Sequence, residues 1–233
     1  MLAALVGGER NPGVLADLAV RQLRGKIPQL TEALEGRFDT HHAALLAEAL
    51  AHIDAADESI ARLSDRICAL LAPWSAGLRL LDGIPGVNRT TAEVILAEIG
   101  PDMSRFPTPA HLASWAGMCP GNNESAGKHR SGRTRKGSKW LRRALVQSAQ
   151  AAGLSHNTYL GAQFQRLRSR RGAKRAAVAV GHSILVIAWH LLTTGQEYRD
   201  LGADYFTNRR NSDAYKNYLL RELDRLGHTL SVA

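Results

Sequence analysis

The sequence predicts a mainly α protein: a long coiled-coil-like helix, then a helical domain carrying a helix-hairpin-helix segment and a basic, glycine-rich loop. Three observations lead there. Apolar residues recur at steps of four and three between residues 49 and 70, a heptad seam held for three heptads. Shorter amphipathic stretches bounded by Asn, Pro and Gly fill most of the remainder. No stretch alternates apolar and polar residues for long, so no sizeable sheet is expected. Divisions are expected at 1–73, 74–195 and 196–233.

Residues 12–36 read as a first helix. Asn11 offers an N-cap, Pro12 suits the first turn, and Leu15, Leu18 and Leu23 lie on one side. From about 40 to 71 the seam comprises Ala49, Ile53, Ala56, Ile60, Leu63, Ile67 and Leu70, with Asp54, Asp57, Glu58, Arg62 and Arg66 on the other faces. Such a period fits a helix within a bundle as well as an intermolecular coiled coil. Pro73 ends it.

The text "LRLLDGIPGVNRTTAEVILAEIG" (78–100) places Ile84-Pro85-Gly86-Val87 between an apolar turn and a helix from Thr90 to Ile99. Ala92, Val94, Ile95 and Ile99 face inward, and Gly100 with Pro101 closes the helix. A hydrophobic-Pro-Gly-hydrophobic corner between two short helices is the helix-hairpin-helix pattern. Gly86 takes the tight turn, leaving backbone N–H groups and a helix N-terminus able to meet a phosphate. An ordinary helical hairpin has the same look.

Pro107 and Pro109 then open a short helix, His111 to Trp115. A Gly/Pro/Asn loop follows, with a serine and basic segment spanning 119–139. Its cations are Lys128, Arg130, Arg133, Arg135, Lys136, Lys139, Arg142 and Arg143: eight in residues 128–143, against a net charge of +9 for all 233 residues. The loop feeds a helix from Lys139 to Gly153, with Trp140, Leu141, Ala144, Leu145 and Ala149 inward and Arg142 and Arg143 outward. A second basic run, "RLRSRRGAKR" (166–175), includes Arg170 and Arg171 and precedes an apolar helix to Leu192. The tail from Asp204 reads as one more amphipathic helix.

The totals narrow the function. With 30 Lys and Arg against 21 Asp and Glu, and a pI near 10.1, a polyanion is the expected partner. Cys68 and Cys119 are far apart, as reduced packing residues would be. The longest apolar run (183–192) contains a His and is too short to span a bilayer. The first residues lack a basic leader and an apolar core. A soluble, cytoplasmic protein with no membrane partner is expected.

A metal site is not expected within this chain. The nine histidines form no HxxxH grouping, and the acids do not converge as a two-metal nuclease requires. The basic loop is different, since Arg and Lys in a Gly-rich segment can gather and neutralise a phosphodiester. Ser125, Ser131 and Ser138 lie within reach of it. A serine hydroxyl attacks poorly unless its surroundings stabilise the developing charge, which arginines around a phosphate would do. On chemistry alone a turn-forming serine remains the commoner reading of Ser125.

Taken together, "IPGVNRTTAEVILAEIG" and "RFPTPAHLASWAGMCPGNNESAGKHRSGRTRKGSKWLRRALVQSA" closely resemble the C-terminal transposase domain of the insertion sequence 110 family. These are the DEDD transposases known as bridge-RNA-guided recombinases. The likeness covers at least residues 78–152. It rests on the hairpin, the Phe-Pro before the short helix, the Ala-Gly loop, the Ser-x-Gly-Lys motif, the basic loop and the Trp-Leu-Arg helix. In that family the serine of a Ser-Gly-Gly-Lys-like motif is the proposed nucleophile that bonds covalently to DNA. Here the motif reads Ser125-Ala126-Gly127-Lys128, so the resemblance assigns that role to Ser125. It further implies DNA and a structured guide RNA as partners, and a homo-oligomer formed through the coiled coil. Family members also carry an N-terminal RuvC-like domain whose three Asp and one Glu bind Mg2+. The stretch after Met1 reads instead as helical-bundle sequence. The chain is therefore expected to be a C-terminal portion that binds nucleic acid but does not recombine it alone, with Mg2+ belonging to the domain ahead of it. The alternative is a non-catalytic helix-hairpin-helix protein that binds DNA or RNA.

Overall fold

A computed structural model describes residues 1–121, 124–129, 132–208 and 212–226. The chain is mainly α and forms two compact units, Met1–Ala72 and Pro73–Ala233.

The first unit holds α1 (Leu2–Val6), α2 (Pro12–Asp17), a 3-10 turn (Arg21–Lys26), α3 (Ile27–Leu34) and α4 (Thr40–Leu71). The single helix expected over 12–36 is thus three pieces. Asn11 does cap the first, its Oδ1 accepting from the Gly13 and Val14 amides. Pro28, however, cannot continue a preceding helix, because it has no N–H and its ring collides with the turn before it; it opens α3 instead. Arg21, at φ +52°, also interrupts the path. As a result Leu15 is buried, while Leu18 and Leu23 are exposed.

Asp39 starts α4 with a capping box: its carboxylate accepts from the His41 and His42 amides, and the His42 ring returns to the Asp39 backbone. These bonds, first the His42 amide, hold the Asp39 carboxyl below its ordinary pKa. The helix runs 32 residues, about 48 Å at 1.5 Å per residue. Its heptad seam faces solvent: Ile53, Ile60, Leu63, Ile67 and Leu70 are 41 to 64% exposed.

The second unit comprises α5 (Ser75–Asp82), α6 (Arg89–Ile99), α7 (Pro109–Trp115), β1 (Glu124–Ser125), β2 (Lys128–His129), α8 (Lys139–Ala152), α9 (Tyr159–Arg171), α10 (Ala173–Thr194), α11 (Tyr205–Asn208) and α12 (Ser212–Arg225). α10 is its axis, packing against α5, α7, α8 and α9. Ala176, Ala177, Val180, Gly181, Ile184, Leu185, Ala188 and Leu191 form its buried face at steps of one and three. Gly181 lets α8 come close, since a Cβ there would lie 3.0 Å from Met118 Cε and 3.2 Å from the Leu145 carbonyl oxygen. Trp189 Nε1 donates to the Phe106 carbonyl at 2.9 Å, tying α10 to the segment before α7.

At 22 residues α10 is long and apolar enough to cross a membrane by length and composition, longer than the short run noted in the sequence. Four helices cover its apolar face here, so it acts as a core helix. The basic run 166–175 spans the end of one helix and the start of the next. Residues through Arg171 finish α9, capped by Thr158 Oγ1 on the Gly161 amide, and Gly172 at φ +82° turns the chain into α10.

Candidate nucleic-acid interface

The site begins where α7 ends. Gly117, at φ +66°, and Gly137 pass so closely that a Cβ on Gly117 would lie 2.7 Å from the Arg135 carbonyl oxygen. A Cβ on Gly137 would run into Ala116. Small residues on both strands let the two arms of the basic loop touch at its neck. Beyond the neck the Gly121 amide donates to the Arg133 carbonyl at 2.9 Å, and Pro120 pairs with Thr134.

The tip is a short hairpin that the sequence did not reveal. β1 and β2 pair antiparallel, Glu124 with His129 and Ser125 with Lys128. Ala126 and Gly127 join them with φ of +52° and +72°. Two positive φ values in a two-residue loop match the twist of the flanking strands. Ala126 accepts a conformation that costs an L-residue roughly 1–2 kcal/mol, and Ser125 lies directly before that turn.

Arg142 was expected to point outward. Instead it is half-buried, and its Nη1 donates to Thr134 Oγ1 at 2.7 Å and to the Gly117 carbonyl at 3.3 Å. One guanidinium thus joins α8 to both arms of the loop. Under the same neck lies His182 of α10. Burial lowers its pKa, and a hydrogen bond with the Met118 backbone opposes that shift. Burial likewise raises the Cys119 thiol pKa, with the Arg135 charge pulling it down.

Lys128, Arg133, Arg135, Lys136, Lys139 and Arg143 are exposed, as are Arg170 and Arg171 in the last turn of α9. Arg130 and Ser131 lie outside the described residues. No Asp or Glu occurs between Glu124 and Glu197, so nothing acidic in that length of chain offsets these cations. Among the described residues no three His, Cys, Asp or Glu stand together as a metal site.

Gly86 sits elsewhere. At φ +85°, its turn rests on the far half of α8, where a Cβ would run into the Ser148 carbonyl and lie 2.6 Å from the Ala152 nitrogen. Ile84 and Val87 on either side are buried. Asn88 Oδ1 then caps α6 through the Thr91 amide at 2.9 Å. About 16 Å of α8 axis separates this corner from the start of the helix, taking 1.5 Å per residue.

Trp140 is the other departure. It was expected inward and is 57% exposed. Ser138 Oγ accepts from the Leu141 amide, which starts α8 at Lys139 and puts Trp140 in the first turn, outside the buried stripe of Leu141, Ala144, Leu145, Ser148, Ala149 and Ala152. The signal was present: a serine three residues before Leu141 is an N-cap.

A cationic loop held at its neck on a helical scaffold, with a serine beside its tip turn, is an arrangement suited to a polyanion. Comparison with known proteins finds the following similarities. Residues 78–165 match the transposase IS116/IS110/IS902 family. The chain is 32% identical over 145 residues to the Sinorhizobium fredii protein named for transposase y4pF/y4sB, covering 60% of this chain and 37% of that one. To the transposase for insertion sequence element IS1111A of Coxiella burnetii it is 30% identical over 148 residues, 61% of this chain and 40% of the relative. To the 43.6 kDa protein of insertion element IS110 from Streptomyces coelicolor it is 40% identical over 124 residues, 51% and 29% of the two chains. The matches thus span less than half the length of each relative. Residues 78–165 are thus similar to the transposase domain of the IS116/IS110/IS902 family.

Proposed function

We propose that this chain binds DNA through the basic loop and supplies Ser125 as the nucleophile that cuts and carries a strand during transposition. The observation that supports this most is the loop itself. Ser125 pairs with Lys128 at a hairpin tip, within an acid-free length of chain whose two basic runs hold eight and six Lys and Arg. In the proposed step the Ser125 Oγ bonds to a phosphorus, and the P–O bond to the neighbouring nucleotide breaks. The departing strand hydroxyl keeps the proton that the serine gives up. Exposed cations such as Lys128 and Arg133 would hold the phosphate and offset charge on its oxygens. The Gly86 corner and the capped start of α6 offer backbone amides for a second phosphate. A structured guide RNA is a further proposed partner on family resemblance.

Salt dependence tests the binding face. If about half of the fourteen cations meet phosphates, log affinity for duplex DNA falls against log salt with a slope near −6. A slope shallower than about −2 removes this surface from consideration. Arg143→Ser flattens the slope by about one.

A homo-oligomer through α4 is proposed on the exposed heptad seam. Ile60 is 61% exposed in the single chain, so Ile60→Asp in a monomer would stay within about 0.5 kcal/mol of the parent. In a paired seam the same change buries an unpartnered charge and costs several kcal/mol. Light scattering at tens of micromolar is expected to show a dimer or larger assembly that Ile60→Asp dissociates. A clean monomer for the parent chain refutes the pairing.

A further inference from the structure

The four tryptophans differ in what they touch. Trp189 uses its Nε1 on the Phe106 carbonyl, and Trp115 leans on the Phe106 ring with centroids 5.5 Å apart. Trp140, the most exposed of the four, carries a cation beside it: the Lys139 ammonium lies 4.9 Å from its ring centroid. Leaving an indole in water forgoes roughly 2–3 kcal/mol of burial. Packing within the second unit recovers only part of it, because Trp140 lies off the buried stripe that begins at Leu141.

Charge says what would cover it. Arg143, one turn along α8, is exposed, as are Lys136 and Lys139, and residues three apart on a helix are neighbours. The adjoining chain has no acid until Glu197. A protein partner's apolar patch would have to neutralise these cations as well; a nucleotide brings a flat π-face and a phosphate together. With Lys139 over one face of the indole, a base can lie against the other. A base inside a duplex shows only its edges, so the ring face is available only where the base is unpaired.

We propose that Trp140 is a stacking platform for an unpaired base of the DNA strand that the basic loop holds. This rests on the reading that the loop binds DNA. Equilibrium titrations with a labelled oligothymidine strand, an oligouridine strand and a blunt DNA duplex test it, using the full chain with Trp140→Ala and Trp140→Phe. Trp140→Ala is expected to weaken single-strand binding about 5- to 100-fold, to leave duplex binding within about twofold, and to keep the salt slope, because no charge is lost. Trp140→Phe is expected to restore most of the single-strand affinity. Equal weakening on both DNAs, no weakening on either, or a loss confined to an oligouridine strand overturns the proposal. Lys136→Ser combined with Arg143→Ser tests the underlying reading separately. An unchanged salt slope on both DNAs, beside a selective Trp140→Ala loss, refutes the loop as binding face and leaves the stacking site standing. A flattened slope with no Trp140 effect does the reverse.

Discussion

Ser125→Ala is expected to abolish the covalent protein–DNA species, reducing it to background. The assay supplies what the family resemblance implies: an intact RuvC-like domain with Mg2+, guide RNA and target DNA. A bond from serine to phosphorus survives boiling in detergent, so a labelled strand that stays with the protein on a denaturing gel reports it directly. Without its Oγ, residue 125 cannot form that bond however well the loop still holds the strand. Duplex affinity and salt slope should therefore be unchanged. The neighbouring serines are the controls. Ser138 Oγ accepts the Leu141 amide at the start of α8, and Ser138→Ala is expected to cost about 1 kcal/mol of stability as a lost helix cap while keeping the adduct. Ser131→Ala should keep it too. An adduct that persists without Ser125 and disappears without Ser131 or Ser138 moves the nucleophile. An adduct indifferent to all three removes the covalent mechanism.

Gly86→Ala is expected to lower the melting temperature by roughly 4–20 °C. Two costs combine. An L-residue at φ +85° carries roughly 1–2 kcal/mol of backbone strain. Its Cβ must also displace α8 backbone at Ser148 and Ala152, overpacking that adds about 1–3 kcal/mol. At about 2–4 °C per kcal/mol for a unit of this size, the sum gives the stated shift. Gly100→Ala isolates the first cost. That residue has φ +77° and ψ 170° with nothing within 4 Å of the added Cβ, so only backbone strain of about 1–3 kcal/mol is expected. If thermal unfolding shows the two variants melting together, the close approach to α8 is not what requires glycine at 86.

Much of this protein follows from local rules. Asn11, Asp39, Asn88, Thr108, Ser138 and Thr158 each cap the helix that follows. A cap needs only a short polar side chain one residue ahead of a periodic stretch. The α4 seam, the hairpin corner at Gly86 and the basic loop were visible for the same reason, since each is a pattern of neighbours in the chain. Where local signals competed, the reading failed. Pro28 outweighed the apolar spacing over 12–36, and α9 went unread as a whole because the arginines of 166–171 masked its helical period.

Other features depend on residues far apart in sequence, and only the packed unit decided them. Arg142 looks like an exposed cation until Gly117 and Thr134 arrive beside it from other segments. Gly86 looks like a free turn until α8 lies across it. Trp140 looks like core until the buried stripe of α8 turns away from it. Sequence by itself determined which segments form helices and where the positive charge gathers, because helix periodicity, capping and charge are properties of adjacent residues. Which glycines, arginines and tryptophans are spoken for by the fold, and which remain at the surface, was decided by tertiary structure, because close packing joins side chains whose order in the chain says nothing about their distance.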